Sequence, residues 1–176
     1  ENYIYAASYG KIVVTKDAGL NWTNIKPGLP FLTNITDITV SDADANKAWV
    51  TFSGYNNTEK VFQTNDAGNS WTNISGNNLP ELPVNCIVFQ EGTQEDLYIG
   101  TDVGVYYKNN TMSEWIPFND GLPNVIVNEL EIHIEDGTIS AATYGRGVWQ
   151  SNVNTISVNT YNRPRLKFHL YPNPAN

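Results

Sequence analysis

Short runs of apolar and polar residues alternate along most of the chain, and the runs recur in groups. Pairs of β-rich segments joined by tight turns lie at residues 4–8 and 11–14, 48–53 and 60–63, 97–101 and 103–107, and 139–143 and 147–150. Longer apolar strands stand between these pairs, at residues 35–40, 84–90 and 127–134. No segment has the period of an amphipathic helix, so the pattern predicts an all-β protein.

One element of the sequence occurs twice, at a similar place in two groups. Residues 15–25 (TKDAGLNWTNI) recur as residues 64–74 (TNDAGNSWTNI). Residues 108–116 form a weaker third copy, which keeps only the tryptophan, Trp115. A repeat of roughly 45 residues that holds four short strands is typical of a β-propeller blade.

The repeated element has a physical explanation as a turn between two strands. The Thr15 hydroxyl and the Asp17 carboxylate are placed to accept hydrogen bonds from turn amides that lack a strand partner. Gly19 supplies a positive φ, and Trp22 begins the next strand and packs between neighbouring units. The second copy assigns the same structural roles to Thr64, Asp66, Gly68 and Trp71.

The pattern of threonine, aspartate, glycine and tryptophan in residues 15–22 and 64–71 resembles the Asp-box. Asp-boxes are the repeats of sialidases, sortilin-type receptors and xyloglucan-hydrolase propellers. The resemblance extends over residues 1–151 and implies a β-propeller. In those families the Asp-box lies between the third and fourth strands of a blade, away from the active site. The resemblance therefore implies a fold and says nothing about catalysis.

Counting strands indicates an incomplete ring of about three and a half four-stranded antiparallel blades. The first group lacks an innermost strand and the last group lacks an outermost one. We expect residues 1–151 to be the C-terminal part of a larger propeller, whose remainder is the chain's principal partner. We also expect the parent protein's N-terminus to supply the missing outer strand, and two blade faces to be exposed in this chain alone.

The last residues differ in character from the blades. Residues 152–165 are polar and rich in asparagine, which predicts a linker, and residues 166–176 contain a short strand that ends in a proline-rich turn. The motif Tyr171, Pro172, Asn173 and Pro174 resembles the start of a type IX secretion sorting domain. This resemblance implies that the type IX machinery exports the protein, which is then secreted or held at the cell surface.

Composition excludes several classes of partner. The formal net charge is −8, which disfavours nucleic acids and anionic membranes because both require a basic face. No apolar run approaches the ~20 residues of a transmembrane helix. A single cysteine, Cys86, excludes an internal disulfide and a multi-cysteine metal site. We expect no metal and no other cofactor.

The turns between the second and third strands of each blade fall on one rim of the predicted ring. They carry the candidate ligand-binding residues Tyr9, Tyr55, Asp102, Tyr144 and Arg146. Aromatic rings beside polar and charged groups are suited to stacking on a sugar and hydrogen bonding to its hydroxyls, or to contacting a surface protein. The alternative is that tyrosine and glycine simply suit strand ends and tight turns.

Catalysis finds less support in the residues. Arg146 is the only arginine before the tail, so the several arginines of a sialidase site are absent. Glu129 and Glu131 share one face of a strand at a spacing that permits glycoside hydrolysis, although an acidic solvated face explains them equally well. We therefore favour a non-catalytic scaffold or recognition segment. The alternatives are half of a polysaccharide-hydrolase propeller, or an accessory propeller in a secreted peptidase or adhesin.

Overall fold

The computed structural model of the chain describes residues 2–31, 33–55, 58–93 and 95–154, and the backbone of residues 169–170. This part of the chain consists of short β-strands and the turns that join them. The strands are β1 (Ile4–Ser8), β2 (Lys11–Thr15), β3 (Thr23–Asn24), β4 (Ile35–Val40), β5 (Ala48–Phe52), β6 (Val61–Thr64), β7 (Thr72–Asn73), β8 (Val84–Gln90), β9 (Asp96–Thr101), β10 (Gly104–Lys108), β11 (Ile116–Pro117), β12 (Val127–His133), β13 (Thr138–Thr143), β14 (Gly147–Asn152) and β15 (His169–Leu170).

The strands form four antiparallel sheets, which we call blades 1 to 4. Blade 1 is β1-β2-β3, blade 2 is β4-β5-β6-β7, blade 3 is β8-β9-β10-β11 and blade 4 is β12-β13-β14-β15. Each sheet pairs strands that are consecutive in the chain. The first strands of blades 2, 3 and 4 also contact one another in series, β4 with β8 and β8 with β12. These strands are therefore innermost, and blade 1 has no innermost strand.

The strand boundaries agree closely with the sequence pattern, with one clear exception. The pattern predicted a strand over residues 127–134. The strand ends at His133 instead, and Ile134 is 59% exposed. The amide of Gly137 donates to the carbonyl of Ile134, which places Ile134 in the turn that follows the strand.

The outer edge of blade 4 also differs from expectation. We expected a strand from the parent protein's N-terminus at this position, but β15 pairs there with β14 through Trp149–Leu170 and Gln150–His169. The chain stays on the blades slightly beyond residue 151, because the amide of Asn154 donates to the Tyr98 hydroxyl at 2.7 Å. The predicted linker beyond residue 154 and the sorting motif at residues 171–174 lie outside the described residues and stay predictions.

The hydrophobic core is divided into three layers, each between two neighbouring blades. Each layer combines side chains from the second and third strands of one blade with side chains from the next. Representative residues are Ile12, Val14, Val50 and Phe52 for blades 1 and 2, Trp49, Val61, Ile99 and Trp115 for blades 2 and 3, and Tyr98, Tyr107, Val127 and Ile139 for blades 3 and 4. Each blade is thus stabilised mainly by its neighbours.

Burial differs between the central and the terminal blades. Every residue of β5 and β9, the second strands of blades 2 and 3, is buried, whereas the corresponding β1 alternates between exposed and partly buried positions. Apolar side chains are exposed at both ends of the stack, such as Trp22 at 47% and Val148 at 44%. The described blades therefore leave one face of blade 1 and one face of blade 4 uncovered, as expected for a sector of a ring.

A tryptophan directly before the fourth strand links blade 2 to blade 1 and blade 3 to blade 2. The indole of Trp71 in blade 2 donates to the carbonyl of Ile25 in blade 1 at 2.8 Å, and that of Trp115 in blade 3 donates to Ile74 in blade 2 at 2.9 Å. Trp22 holds the same position in blade 1, where no described blade lies on its outer side. Its surroundings consequently differ from those of Trp71, which packs against the layer between blades 1 and 2.

Replacement of Trp115 by phenylalanine is expected to destabilise the chain far more than the same change at Trp22. Trp115→Phe removes a fully buried indole and leaves the Ile74 carbonyl without its donor, which costs about 2 kcal/mol or more. Trp22→Phe alters a half-exposed ring and should change the free energy of unfolding by less than about 0.5 kcal/mol. Urea denaturation of the two variants measures both values, and equal losses would contradict this account of the blade interface.

Candidate functional site

The turns between the second and third strands define the surface that we call the loop rim. They are the β1–β2, β5–β6, β9–β10 and β13–β14 turns, and each occupies the same place in its blade. The amide of Tyr144 donates to the carbonyl of Ile126, and that of Ser53 donates to Asn34. Each of these hydrogen bonds ties a turn to the segment that leads into the innermost strand. The loop rim therefore surrounds the starts of the innermost strands.

Two of the five candidate rim residues are in direct contact. The hydroxyl of Tyr55 in blade 2 donates to Asp102 Oδ2 in blade 3 at 3.1 Å, and Asn85 Nδ2 donates to Asp102 Oδ1 at 3.1 Å. The same Asn85 amide also donates to the carbonyl of Val127 in blade 4 at 3.2 Å. The hydrogen bond to Asp102 and its negative charge raise the pKa of the Tyr55 phenol. This network spans three blades and keeps Tyr55, which is 59% exposed, in a defined position.

The other three candidates are not joined to this network. Tyr9 is 78% exposed and Tyr144 is 72% exposed, and Arg146 is exposed in the same turn as Tyr144. Within the described residues, Arg146 makes no ion pair. Its carbonyl accepts a hydrogen bond from the indole of Trp149 at 3.0 Å, which fixes the turn and leaves the guanidinium free to face solvent.

Sequence reasoning missed Asn85, which connects the rim network. It occupies a partly buried position between two buried residues, Val84 and Cys86. The available signal was a polar residue within an apolar strand. Its meaning depends on a register shift in β8 at this point, which no periodicity in the sequence predicts.

The repeated turns, residues 15–22 and 64–71, lie on the opposite rim, and we call them the turn cassettes. In the second cassette the Thr64 hydroxyl donates to Asp66 Oδ1 at 2.8 Å and accepts the amide of Gly68 at 2.8 Å. Asp66 in turn accepts the amide and the hydroxyl of Ser70, at 2.9 and 2.6 Å. Both carboxylate oxygens are therefore used inside the turn.

The first cassette repeats this arrangement with a different final residue. Thr15 donates to Asp17 Oδ1 at 2.7 Å and accepts the amide of Gly19 at 2.9 Å. The Asn21 side chain donates to Asp17 Oδ2 at 2.7 Å, and the Asn21 amide donates to Oδ1 at 2.8 Å. These hydrogen bonds from Asn21 and Thr15 lower the pKa of Asp17 to about 2.

The cassettes contain one feature that the sequence analysis did not foresee. Gly19 and Gly68 have positive φ angles, of +96° and +81°, but the alanines before them, Ala18 and Ala67, are also left-handed at +55° and +56°. The Ala67 amide donates to the carbonyl of Asn46 in the β4–β5 turn at 2.8 Å. This hydrogen bond holds an alanine in a conformation that normally costs ~1–2 kcal/mol.

Alanine substitution at the two cassette glycines is expected to give unequal destabilisation. At Gly19 a Cβ would meet no atom within 4 Å, so Gly19→Ala adds only backbone strain of about 1–2 kcal/mol. At Gly68 a Cβ would lie 2.6 Å from Ile25 in blade 1, so Gly68→Ala should cost about 1–3 kcal/mol more. Thermal and urea unfolding of both variants compare the costs, and an equal loss would show that the second cassette is not packed on blade 1.

The stability of the chain is expected to depend on the ionisation of Asp17 in acid. Its pKa in the folded state, about 2, lies below the usual value of 3.8, so the ionised carboxylate stabilises the fold above about pH 4. This contribution is lost as the pH falls from about 4 to about 2. Asp17→Asn should therefore lower stability at neutral pH and flatten the dependence of unfolding free energy on pH in that window.

Urea denaturation between pH 2 and pH 7 measures this effect. Asp42→Asn is the matched control, because Asp42 is exposed and its side chain makes no hydrogen bond with the described residues. An unchanged pH dependence in Asp17→Asn would contradict the proposed role of the cassette carboxylate.

The groups considered for catalysis do not converge into a recognised constellation. Glu129 and Glu131 are exposed on β12, the innermost strand of blade 4. Burial raises the pKa of Cys86 to about 12, which keeps its thiol protonated at neutral pH. Among the described residues, no group of three or more His, Cys, Asp and Glu side chains is placed to hold a metal ion. The same part of the chain contains no helix that is long and apolar enough to cross a membrane.

Comparison with known proteins supports the fold directly. No family model and no curated protein matches the sequence. Among solved structures, the β-propeller domain of Swd1 from Myceliophteria thermophila superposes with a TM-score of 0.71 and 12% identity over 95% of this chain. YCF48 bound to a peptide gives a TM-score of 0.63 with 16% identity over 88% of the chain. An ancestral GH74 enzyme gives 0.64 with 15% identity over 87%.

The chain is a partial β-propeller. It spans 53% of the Swd1 domain, 49% of the YCF48 chain and 23% of the GH74 enzyme. These neighbours include both an enzyme and proteins that are not described as enzymes. At such low identity the likeness concerns the propeller fold, and the function has to be argued from the residues of this chain.

Proposed function

We propose that this chain is a non-catalytic scaffold and recognition segment of a larger, exported β-propeller protein. The observation that carries the proposal is the loop rim, where Tyr9, Tyr55, Tyr144 and Arg146 are exposed on turns of a rigid β scaffold. Exposed aromatic side chains and an unpaired guanidinium on one surface are suited to ligand recognition.

The incomplete ring formed by the described blades supports the proposal that the chain belongs to a larger propeller. Blade 1 lacks an innermost strand, and both ends of the stack expose apolar side chains. Closed propellers contain at least about four complete blades, because each blade buries its faces on its neighbours. The chain also spans only about half of two propellers to which it is similar.

The cassettes and the tail support the remaining parts of the proposal. We infer that residues 15–22 and 64–71 are Asp-boxes, because Asp17 and Asp66 serve the turn and are satisfied by it. Residues 171–174 resemble the start of a type IX sorting domain, which supports export by that machinery and a secreted or cell-surface location.

The chemistry of the loop rim favours a carbohydrate ligand. Tyrosine rings stack on the apolar faces of sugars, while Arg146 and the carboxylate of Asp102 are suited to hydroxyl groups. The φ of Tyr9, +39°, is explained by its place as the first residue of the two-residue turn between β1 and β2, where hairpin turns require a positive φ. This turn holds the tyrosine ring at the exposed tip of the hairpin.

Glycan binding by the purified chain tests the proposal. Binding to a panel of plant and host polysaccharides, without release of reducing ends, is the expected result. Tyr144→Ala and Arg146→Ala should each weaken binding by about tenfold, which corresponds to the loss of one stacking or charged contact. Leu20→Ala is the matched control, because Leu20 is 83% exposed but lies in a cassette on the opposite rim.

The principal alternative is a polysaccharide hydrolase, which the exposed Glu129 and Glu131 on an innermost strand permit. Release of reducing ends that is abolished by Glu131→Gln would establish this alternative and overturn the non-catalytic proposal. Absence of both binding and turnover across the panel would leave the loop rim without a carbohydrate ligand and would contradict the recognition role.

A further inference from the structure

The innermost strands of blades 2, 3 and 4 share a β-bulge near their first residue. The register with the second strand shifts between Ile35 and Asp37, between Val84 and Cys86, and between Val127 and Glu129. The bulged residues are therefore Thr36, Asn85 and Asn128. Because the bulge recurs at one position, residues at and after it can be compared directly between blades.

The bulged side chain of each inner blade donates to the next blade. Thr36 Oγ1 donates to the carbonyl of Val84 at 2.6 Å, and Asn85 Nδ2 donates to the carbonyl of Val127 at 3.2 Å. Val84 and Val127 each stand directly before the bulge of the following blade. The two described interfaces between complete innermost strands therefore use the same donor position and the same acceptor position.

The residue after the bulge supplies a second, opposite hydrogen bond. Asp37 Oδ2 accepts the amide of Ile87 in blade 3 at 2.9 Å. Cys86 holds the same position in blade 3, and it packs with Leu130 of blade 4 in the buried layer between these two blades. Ile87 and Leu130 are themselves equivalent, each lying three residues after the valine that accepts the first hydrogen bond. Between blades 2 and 3, a bulge donor followed by an acceptor thus forms a two-point connection.

Blade 4 presents this pair of groups to solvent. Asn128 holds the position of Thr36 and Asn85, and Glu129 holds the position of Asp37 and Cys86. Both residues are exposed, and neither side chain makes a hydrogen bond within the described part of the chain. We propose that this open face, the inner edge of blade 4 at Asn128 and Glu129, docks a further blade of the same four-stranded type.

In the docked state Asn128 repeats the role of Thr36 and Asn85, and Glu129 repeats the role of Asp37. Asn128 donates its amide to the main-chain carbonyl that precedes the bulge of the incoming innermost strand. The Glu129 carboxylate accepts the main-chain amide three residues further along that strand. The inference rests on the proposed function in one respect, namely that the chain belongs to a larger ring, and it assigns Glu129 to assembly rather than to glycoside hydrolysis.

The occupant is a blade that these 176 residues do not contain. In the head-to-tail arrangement of a ring, a second copy would approach blade 4 with the open face of its blade 1. Blade 1 begins with β1, the second strand of the pattern, and has no innermost strand. It therefore offers neither the carbonyl nor the amide that Asn128 and Glu129 require, and a head-to-tail dimer would leave both groups unsatisfied.

The test compares this 176-residue chain with the full-length product of its gene, each as wild type, Asn128→Ala, Glu129→Ala and Glu129→Gln. In the full-length protein, Asn128→Ala and Glu129→Ala should each lower Tm by about 2–4 °C, because a main-chain group at the interface loses its partner. Glu129→Gln keeps an acceptor oxygen and should retain most of the stability. In the 176-residue chain all three changes should leave Tm unchanged, since both side chains face solvent.

Glu135→Ala is the matched control, because Glu135 is exposed in the turn after β12 and makes no hydrogen bond among the described residues. It should be neutral in both proteins. Equal effects of Glu129→Ala in the two chain lengths, or none in either, would overturn the inference. A gene product no longer than this chain would also overturn it, as would a dimer of the 176 residues in sedimentation that Glu129→Ala dissociates.

Hydroxyl-radical footprinting, read by mass spectrometry at Trp22, separates failure of this inference from failure of the proposed ring, because it reports on one of the five tryptophans alone. Trp22 lies at the opposite end of the stack and should become protected in the full-length protein if another blade covers blade 1. Protection of Trp22 without any effect of Glu129→Ala would contradict only the role of the Asn128–Glu129 face. Equal labelling of Trp22 in both chain lengths would contradict the larger ring itself.

Discussion

The packing of one blade against the next is the interaction on which this structure depends. The core consists of three layers between blades, so a single isolated sheet would have almost no buried interior. Each layer contains a fully buried aromatic residue, namely Phe52, Trp115 or Tyr98, and truncation of such a side chain typically costs about 3–5 kcal/mol. The hydrogen bonds between blades define how neighbouring blades are aligned, because the bulged side chain of one innermost strand donates to the same main-chain position of the next at successive interfaces.

This dependence explains how the two rims differ. The cassette rim carries Asp17 and Asp66, whose oxygens are occupied by the hydroxyl, amide and main-chain groups of their own turns. Such turns set the direction of the fourth strand and so place the tryptophan that contacts the preceding blade. Fewer side chains of the loop rim are engaged in such hydrogen bonds, and its tyrosines and its arginine are largely exposed. The side chains that stabilise turns and those that are accessible to a ligand therefore lie on opposite rims of the stack.

Much of this fold could be predicted from the sequence, since strand positions follow from local alternation and the cassettes from a repeated motif. The features that could not be predicted are set by tertiary contacts. The left-handed Ala18 and Ala67 are held by hydrogen bonds to Asn2, just before β1, and to Asn46 in the β4–β5 turn, and the contact of Tyr55 with Asp102 joins turns of two different blades. The pairing of β15 with β14 similarly joins strands that are about 20 residues apart in the sequence. None of these has a periodic or compositional signal.

The position after the bulge shows why the repeats are so difficult to recognise in the sequence. It is occupied by Asp37, Cys86 and Glu129 in three successive blades. The Asp37 carboxylate accepts a main-chain hydrogen bond from the next blade, whereas Cys86 packs in the buried layer at the following interface. Residues of different chemistry thus hold the same place at successive interfaces. A comparison of residue types would therefore separate positions that are equivalent in the fold. It would also assign an acidic residue such as Glu129 to catalysis, whereas its place in the strand register relates it to a buried thiol.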